Sequence, residues 1–367
     1  MAKVWLSGSE NGKLDADFRE LFLNDSAGIF RNCHPGSSVL PATATGCKDF
    51  AGFLAIDDTE KHGIFDTLLE RIIAEQTAWL YQPNCPICGG RVESQGGFYE
   101  QLDEFYEKRT LNTRLLTRVA INRQRKVAED ELLYHLTSVD SLSADGKEVR
   151  LHGSARIPSP LVSKVANTFQ EQVQRLGGGA SRGLGRVCVK VEKREDSDSL
   201  EQRIENFHKA LQGAWETYSH LPTVKMDVLE GTYFSIALQS DAILISEDGW
   251  QRRMILTAPM LQEIAGCDTE VTLIRSFASY DYVGGWNAAW GLPKETDLVT
   301  RTGSVFVFHT SDINPWILAL KTLENTGVGN RREEGFGQIL ICDPFHLRTR
   351  EKVKSQDTRL RNEEESK

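Results

Sequence analysis

The sequence has no long hydrophobic run. Nowhere in its 367 residues do apolar side chains approach the roughly 18 consecutive positions of a membrane span. Its start, Met1-Ala-Lys-Val-Trp-Leu-Ser-Gly-Ser-Glu, lacks the apolar stretch and cleavage site of an export signal. Cysteines number seven, too few and odd for a disulfide framework, so the cytoplasm is the expected compartment. No Ser-His-Asp, Cys-His or His-x-x-x-Glu-His constellation is legible. The eight histidines are scattered, so no catalytic residue is assigned. Asp66 stands at a helix start where a cap is the simpler reading, and His34 competes with metal binding. Positive charge is short as well: 43 Lys and Arg against 52 Asp and Glu give a net −9. An acidic chain excludes indiscriminate nucleic-acid binding unless its positive charge is segregated.

The positive charge is segregated. Residues 108–126 hold seven basic side chains and no acid; 127–149 sum to −5 and 150–190 to +6. The span 108–190 therefore carries +8, leaving −17 for the rest. Such a middle suits a local polyanion site on an otherwise acidic protein. The remaining composition, 40% apolar and 26% charged, is that of a globular chain long enough for two domains.

Hydrophobic spacing predicts helices over 15–24, 63–80, 161–176, 200–218 and 315–325. Alternation predicts strands over 117–121, 131–139, 149–157, 186–192, 234–246, 269–280, 303–309 and 338–342. Residues 31–47 read as loop, 82–97 as a turn-rich insertion and 192–199 as a charged linker. The tail from 347 reads as a frayed helix or a disordered segment. One pattern recurs: strand, helix, glycine-rich basic loop, strand, at 149–192 and again at 303–342. The fold class is therefore α+β with two similar domains, not a doubly wound sheet.

Three motifs carry chemistry. Residues 327–337 read Gly-Val-Gly-Asn-Arg-Arg-Glu-Glu-Gly-Phe-Gly. Gly327, Gly329, Gly335 and Gly337 would let backbone N–H groups approach a phosphate, with Arg331 and Arg332 adding forked donors. The second motif is Cys85-Pro-Ile-Cys88-Gly-Gly, half of a zinc knuckle. Cys47 and His62 are the favoured completing ligands, with Cys33 and His34 as the other candidates. Cys188, Cys267 and Cys342 read as buried core fillers. The third is the aromatic segment Tyr280, Tyr282, Trp286 and Trp290 beside Lys294. It suits base stacking, with a core place favoured for one of its tryptophans and the other left open.

A Gly-apolar-Gly loop closing such a domain, with Thr117-Arg-Val-Ala-Ile-Asn-Arg123, Glu131-Leu-Leu-Tyr134, His152-Gly-Ser-Ala-Arg-Ile157, 176–187 and Gly284-Gly-Trp-Asn-Ala-Ala-Trp-Gly-Leu-Pro-Lys294, resembles the RAMP superfamily of CRISPR-associated proteins. The likeness spans about 15–346 and is nearest the large two-domain RAMP subunit of type III-D effector complexes. It implies two ferredoxin-like (RRM-like) domains, with a zinc-knuckle insertion in the first. The expected division is a first domain over 1–192, a linker and helix over 193–230, a second domain over 231–346 and a charged tail over 347–367. The opening strand and glycine turn of a RAMP domain are not found ahead of the first helix. The implied function is binding CRISPR guide RNA by its 5′ handle, with other effector subunits and target RNA as partners and no membrane. The implied RNA-binding residues are Arg118, Arg123, Arg125, Lys126, Arg182, Arg186, Trp286, Arg331 and Arg332, with the four glycines. Structural zinc is the expected cofactor. The alternatives are a metal-dependent endoribonuclease and a protein-only scaffold.

Overall fold

The computed structural model describes residues 15–23, 28–55, 60–77, 81–103, 105–122, 124–143, 146–193, 199–219, 229–287 and 290–365. They form a mixed α+β protein of small antiparallel sheets and helices. The chain divides into two compact units that do not follow its linear order. One joins Met1–Pro35 to Thr110–Glu195, and the other joins Gly36–Arg109 to Asp196–Lys367. Residues 1–35 sum to −1 and 110–195 to +6, so the smaller unit carries +5 and the larger −14.

In the larger unit a buried strand, β1 (Ala44–Cys47), lies between β2 (Ile64–Asp66) and β3 (Val92–Ser94). Residues 31–47 read as loop because β1 is buried at every position, which erases the alternation that marks a half-exposed strand. Helix α1 (Leu68–Thr77) starts later than its apolar spacing predicts. Ile64 and Phe65 pair with β1, and the Asp66 carboxylate accepts the Leu68 N–H at 2.6 Å, which fixes the helix start. That contact, with the Thr43 hydroxyl at 2.7 Å and a fully buried side chain, makes Asp66 a cap.

Farther along come α2 (Leu200–Ser219), β4 (Thr232–Leu238), α3 (Ala258–Ala265), β5 (Thr272–Phe277), β6 (Val305–Thr310), α4 (Asn314–Thr326) and β7 (Ile339–Ile341). The four strands form one antiparallel sheet in the order β5-β6-β4-β7. β4 and β6 are central and buried almost throughout, and both read as near-continuous apolar runs. Trp316, Leu320 and Leu323 of α4, Met260 and Leu261 of α3, and Phe207 and Leu211 of α2 pack with them in one core. The tail is ordered: α5 (Arg350–Glu365) buries Val353 and Leu360 with Leu54 and Phe65. Its mean polarity hid these two apolar anchors, seven residues apart on one helix face.

The smaller unit holds a helix, Ala16–Phe22, N-capped by Asp15, and a short ladder of Ile29–Phe30 with Ala155–Arg156. The ladder is extended by backbone bonds between His34 and His152. Helix Val162–Gln172 follows, and Phe18, Leu21, Leu161 and Val165 make the core. Thr113–Asn122 and Val127–Val139 pair as a long two-stranded hairpin. Residues 186–192, expected as a closing strand, join no ladder. Their alternating Val187, Val189 and Val191 are half-buried, but no described strand lies beside them.

Candidate metal centre and glycine loops

Cys47 lies at the end of β1, where it pairs with Val92. His62 lies just before β2, its N–H donating to the Phe50 carbonyl and its ring 4.3 Å from the Phe50 ring. Cys85 and Cys88 sit on a tight turn closed by the Asn84–Arg91 bridge. There the Cys85 N–H donates to the Gly90 carbonyl and the Gly89 N–H to the Cys85 carbonyl. Gly89 takes φ +70, a left-handed conformation that folds the second thiol back toward the first.

The ligand atoms of Cys47, His62, Cys85 and Cys88 all lie within 4.8 Å of one another. The Cys47 and Cys88 sulfurs are 3.7 Å apart, and the Cys85 sulfur is 3.4 Å from His62 Nδ1. A tetrahedral ion bound at about 2.3 Å to sulfur and about 2.0 Å to nitrogen sets edges of about 3.8 Å and about 3.5 Å. The Cys88 thiol is held below its ordinary value, first by the Gly90 N–H donating to its sulfur at 3.4 Å. Burial pushes the Cys85 thiol up to about 11. A buried thiol that resists ionising on its own, beside an imidazole nitrogen and a thiol whose ionisation is favoured, is a donor set a cation would complete. Cys33 and His34 lie outside this cluster.

The two glycine loops have the same backbone. Leu176 and Val328 donate their N–H to Gly185 and Gly337, at 2.9 and 2.8 Å. Each loop takes positive φ at four corresponding places: Gly177, Gly179, Gly183 and Gly185 in one, Gly329, Arg331, Gly335 and Gly337 in the other. Each contains a one-turn helix between the middle two, Ala180–Arg182 and Arg332–Glu334. The offset is 152 residues throughout. A Cβ on Gly185 would stand 2.1 Å from the Leu176 oxygen and one on Gly337 1.8 Å from the Val328 oxygen, so those glycines allow backbone to touch backbone.

The expected role of the glycine N–H groups is corrected by this geometry. Gly327, Gly335 and Gly337 are buried, and their N–H groups donate to the carbonyls of Leu323, Arg332 and Asp241. They are spent within the protein and are not phosphate donors; only Gly329 is partly exposed. Arg331 is also engaged. Its guanidinium meets Glu334 at 2.7 Å and Asp297 at 3.1 Å, and lies over the Phe336 ring. Arg332 is exposed.

Corresponding positions of both loops reach a neighbouring hairpin. Arg182 donates to the Tyr134 hydroxyl and lies over its ring, which ties the first loop to the 113–139 hairpin. Glu334, at the matching position, pairs with Lys294 at 2.6 Å, at the end of the 280–294 aromatic segment. Tyr134, Asp297 and Lys294 were not singled out as loop partners, because nothing in their local sequence marks a contact 40 residues or so away.

Arg118 is half-buried on the hairpin, facing Tyr134 across the ladder, and Arg125 and Lys126 are exposed at its tip. Arg186 is exposed beside the first loop, and Arg123 lies outside the described residues. Trp286 and Trp290 are both exposed, at 63% and 77%, so neither fills a core. Trp250, which carried no motif, is exposed at 87%. Cys267 and Cys342 are buried as expected, but Cys188 is exposed, because the segment that carries it has no strand beside it.

No protein-family model matches this chain, and neither does any curated protein. Among the described residues, no helix is long and apolar enough to cross a membrane.

Proposed function

We propose that this is an RNA-binding protein built on two related α/β domains of the ferredoxin-like kind. More narrowly, we read it as a RAMP subunit that holds the 5′ handle of a CRISPR guide RNA in a type III-D-like effector complex. One observation carries the reading: a single loop backbone recurs in both units, each time after a helix and each time tied to a hairpin. The strand order β5-β6-β4-β7, with the chain running β4-α3-β5-β6-α4-β7, supports a ferredoxin-like reading of the larger unit. The charge supports an RNA face in the smaller unit, which carries +5 and exposes Arg125, Lys126, Arg182 and Arg186. Exposed Trp286 and Trp290 supply stacking surface.

We assign zinc to the Cys47, His62, Cys85 and Cys88 cluster, since three thiolates and one imidazole are a donor set zinc favours. Its chemistry there is structural: it clips the 85–90 turn to β1 and to the chain entering β2. All four positions belong to protein ligands, which leaves no open site for substrate.

The binding reading is tested with a single-stranded RNA of about 40 nucleotides, titrated at several salt concentrations. Replacing Arg182, Arg186 and Arg332 with Ala is expected to weaken binding at least tenfold. Each lost contact lowers the salt slope by about 0.7. Equal affinity in the triple variant would overturn the loops' role. No RNA binding by the intact chain would leave the scaffold reading.

A further inference from the structure

We infer that Cys47 and Cys88 are an oxidant-sensitive thiol pair, which a hydroperoxide joins as a disulfide and so opens the metal centre. Its effect on the ion rests on the zinc reading; the pairing rests on the sulfur positions alone.

The four ligands are unequal in exposure. Cys47, His62 and Cys85 are buried, and Cys88 is exposed. A small oxidant arriving from solvent therefore meets one sulfur first. The four also fall into two close pairs. The Cys85 sulfur lies 3.4 Å from His62 Nδ1, and the Cys88 sulfur lies 3.7 Å from that of Cys47. The Gly90 N–H donates to the Cys88 sulfur at 3.4 Å, which restrains it beside this partner. Cys47 is rooted in β1, whereas Cys88 rides on the 85–90 turn. Closing the gap to a bond of about 2.05 Å thus moves the turn and leaves the sheet in place. An exposed sulfur with a buried one beside it is the arrangement of a reactive and a resolving cysteine.

The chemistry runs in two steps. The Cys88 thiolate attacks the hydroperoxide: an S–O bond forms, the O–O bond breaks, and the leaving oxygen takes a proton as water or an alcohol. The Cys47 thiolate then attacks the Cys88 sulfenic acid: the S–S bond forms, the S–O bond breaks, and the departing hydroxide is protonated to water. Two thiolates lose one electron each, and the hydroperoxide gains both. Cys85 and His62 are left as donors, half of what a structural zinc requires. The disulfide still holds the 85–90 turn on β1. What is released is the arm to His62, and with it the chain entering β2.

The test adds hydrogen peroxide to the purified full chain. Released zinc is read with a chromogenic chelator, and disulfides are mapped by mass spectrometry without reduction. The expected result is loss of bound zinc together with a peptide that links Cys47 to Cys88. The His62 amide, which donates to the Phe50 carbonyl, then exchanges about tenfold faster. A dithiol with added zinc restores both readings. Cys88→His keeps four donors without the exposed sulfur and should hold its zinc through the same treatment. Cys33→Ser with Cys188→Ser, which removes the other two exposed thiols, should change nothing. Zinc retained by the wild-type chain overturns the proposal. So does zinc lost with Cys85 linked to Cys88, or with Cys88 carried on to a sulfinic acid and no link formed. A chain purified without zinc defeats the zinc reading instead. The Cys47–Cys88 link is then sought in the same peptide map, and its absence overturns the pairing as well.

Discussion

Arg331 was nominated as a phosphate ligand, yet two carboxylates hold it. Glu334 records the arrangement: hydrogen bonds from Arg331, then from Lys294, hold its carboxyl at about 2, below the ordinary range. A depressed carboxyl stabilises the fold above its unfolded value and stops doing so as pH falls through the folded one. Stability of the larger unit should therefore decline between about pH 4.3 and 2. Glu334→Gln should flatten that part of a urea-midpoint profile; an unchanged profile would mean the contact contributes nothing. The Glu334 side chain is one-third exposed, so solvent screens its share. The first loop offers a paired comparison at the same scale. Gly183 and Gly185 both take positive φ, but a Cβ at 183 meets open space and one at 185 meets the Leu176 oxygen. Gly185→Ala should destabilise the smaller unit by more than about 1 kcal/mol beyond Gly183→Ala, read from local exchange or unfolding midpoints.

Among the elements, the 85–90 turn is the one whose stability the proposed zinc would set. Of its cysteine pair only Cys85 is buried, and Ile87 packs against the Leu54 and Phe65 cluster. Metal analysis of the purified protein should give one zinc per chain. Cys85→Ser should lose it and lower the melting temperature of the larger unit, because the ion links the turn to buried β1. Less than half an equivalent, with the Cys85→Ser midpoint unchanged, would remove zinc from the account. The hydrophobic counterpart is α4, where Trp316 is fully buried among Phe234 and its neighbours. Trp316→Ala should cost about 3–5 kcal/mol in the same unit, measured by denaturant unfolding.

At the scale of the molecule, two units of unequal core size and opposite charge should not unfold together. All tryptophans but Trp5 lie in the larger unit's segments, so tryptophan fluorescence reports that unit. Exchange across Val162–Gln172 reports the smaller one, whose core is a handful of residues. The exchange transition should come at lower denaturant than the fluorescence transition; coincident curves would mean one cooperative body. Raising salt should affect RNA binding far more than either transition, since phosphate contacts release counterions and core packing does not.

Local signals determined a good deal. Helical spacing located α2 and α4 within two residues, because each has a clean apolar stripe. The repeated glycine loops were legible because positive φ and close backbone contact demand glycine at set intervals. The Cys47, His62, Cys85 and Cys88 cluster was legible because Cys-x2-Cys spacing has few other uses and Cys47 and His62 stood nearest. What local sequence could not carry was set by tertiary partners. β1 was hidden by burial on both faces, and α5 by two apolar anchors in a charged helix. The 186–192 segment has a strand's alternation but no ladder, since a strand exists only where a neighbour accepts its hydrogen bonds. Folding alone decided that Arg331 is neutralised and that 36–109 belongs with the C-terminal half. Arg331 is neutralised only because the fold brings Asp297 to it beside the nearby Glu334, and the chain crossing depends on contacts hundreds of residues apart, such as Arg348 with Ile64, which no window of sequence contains.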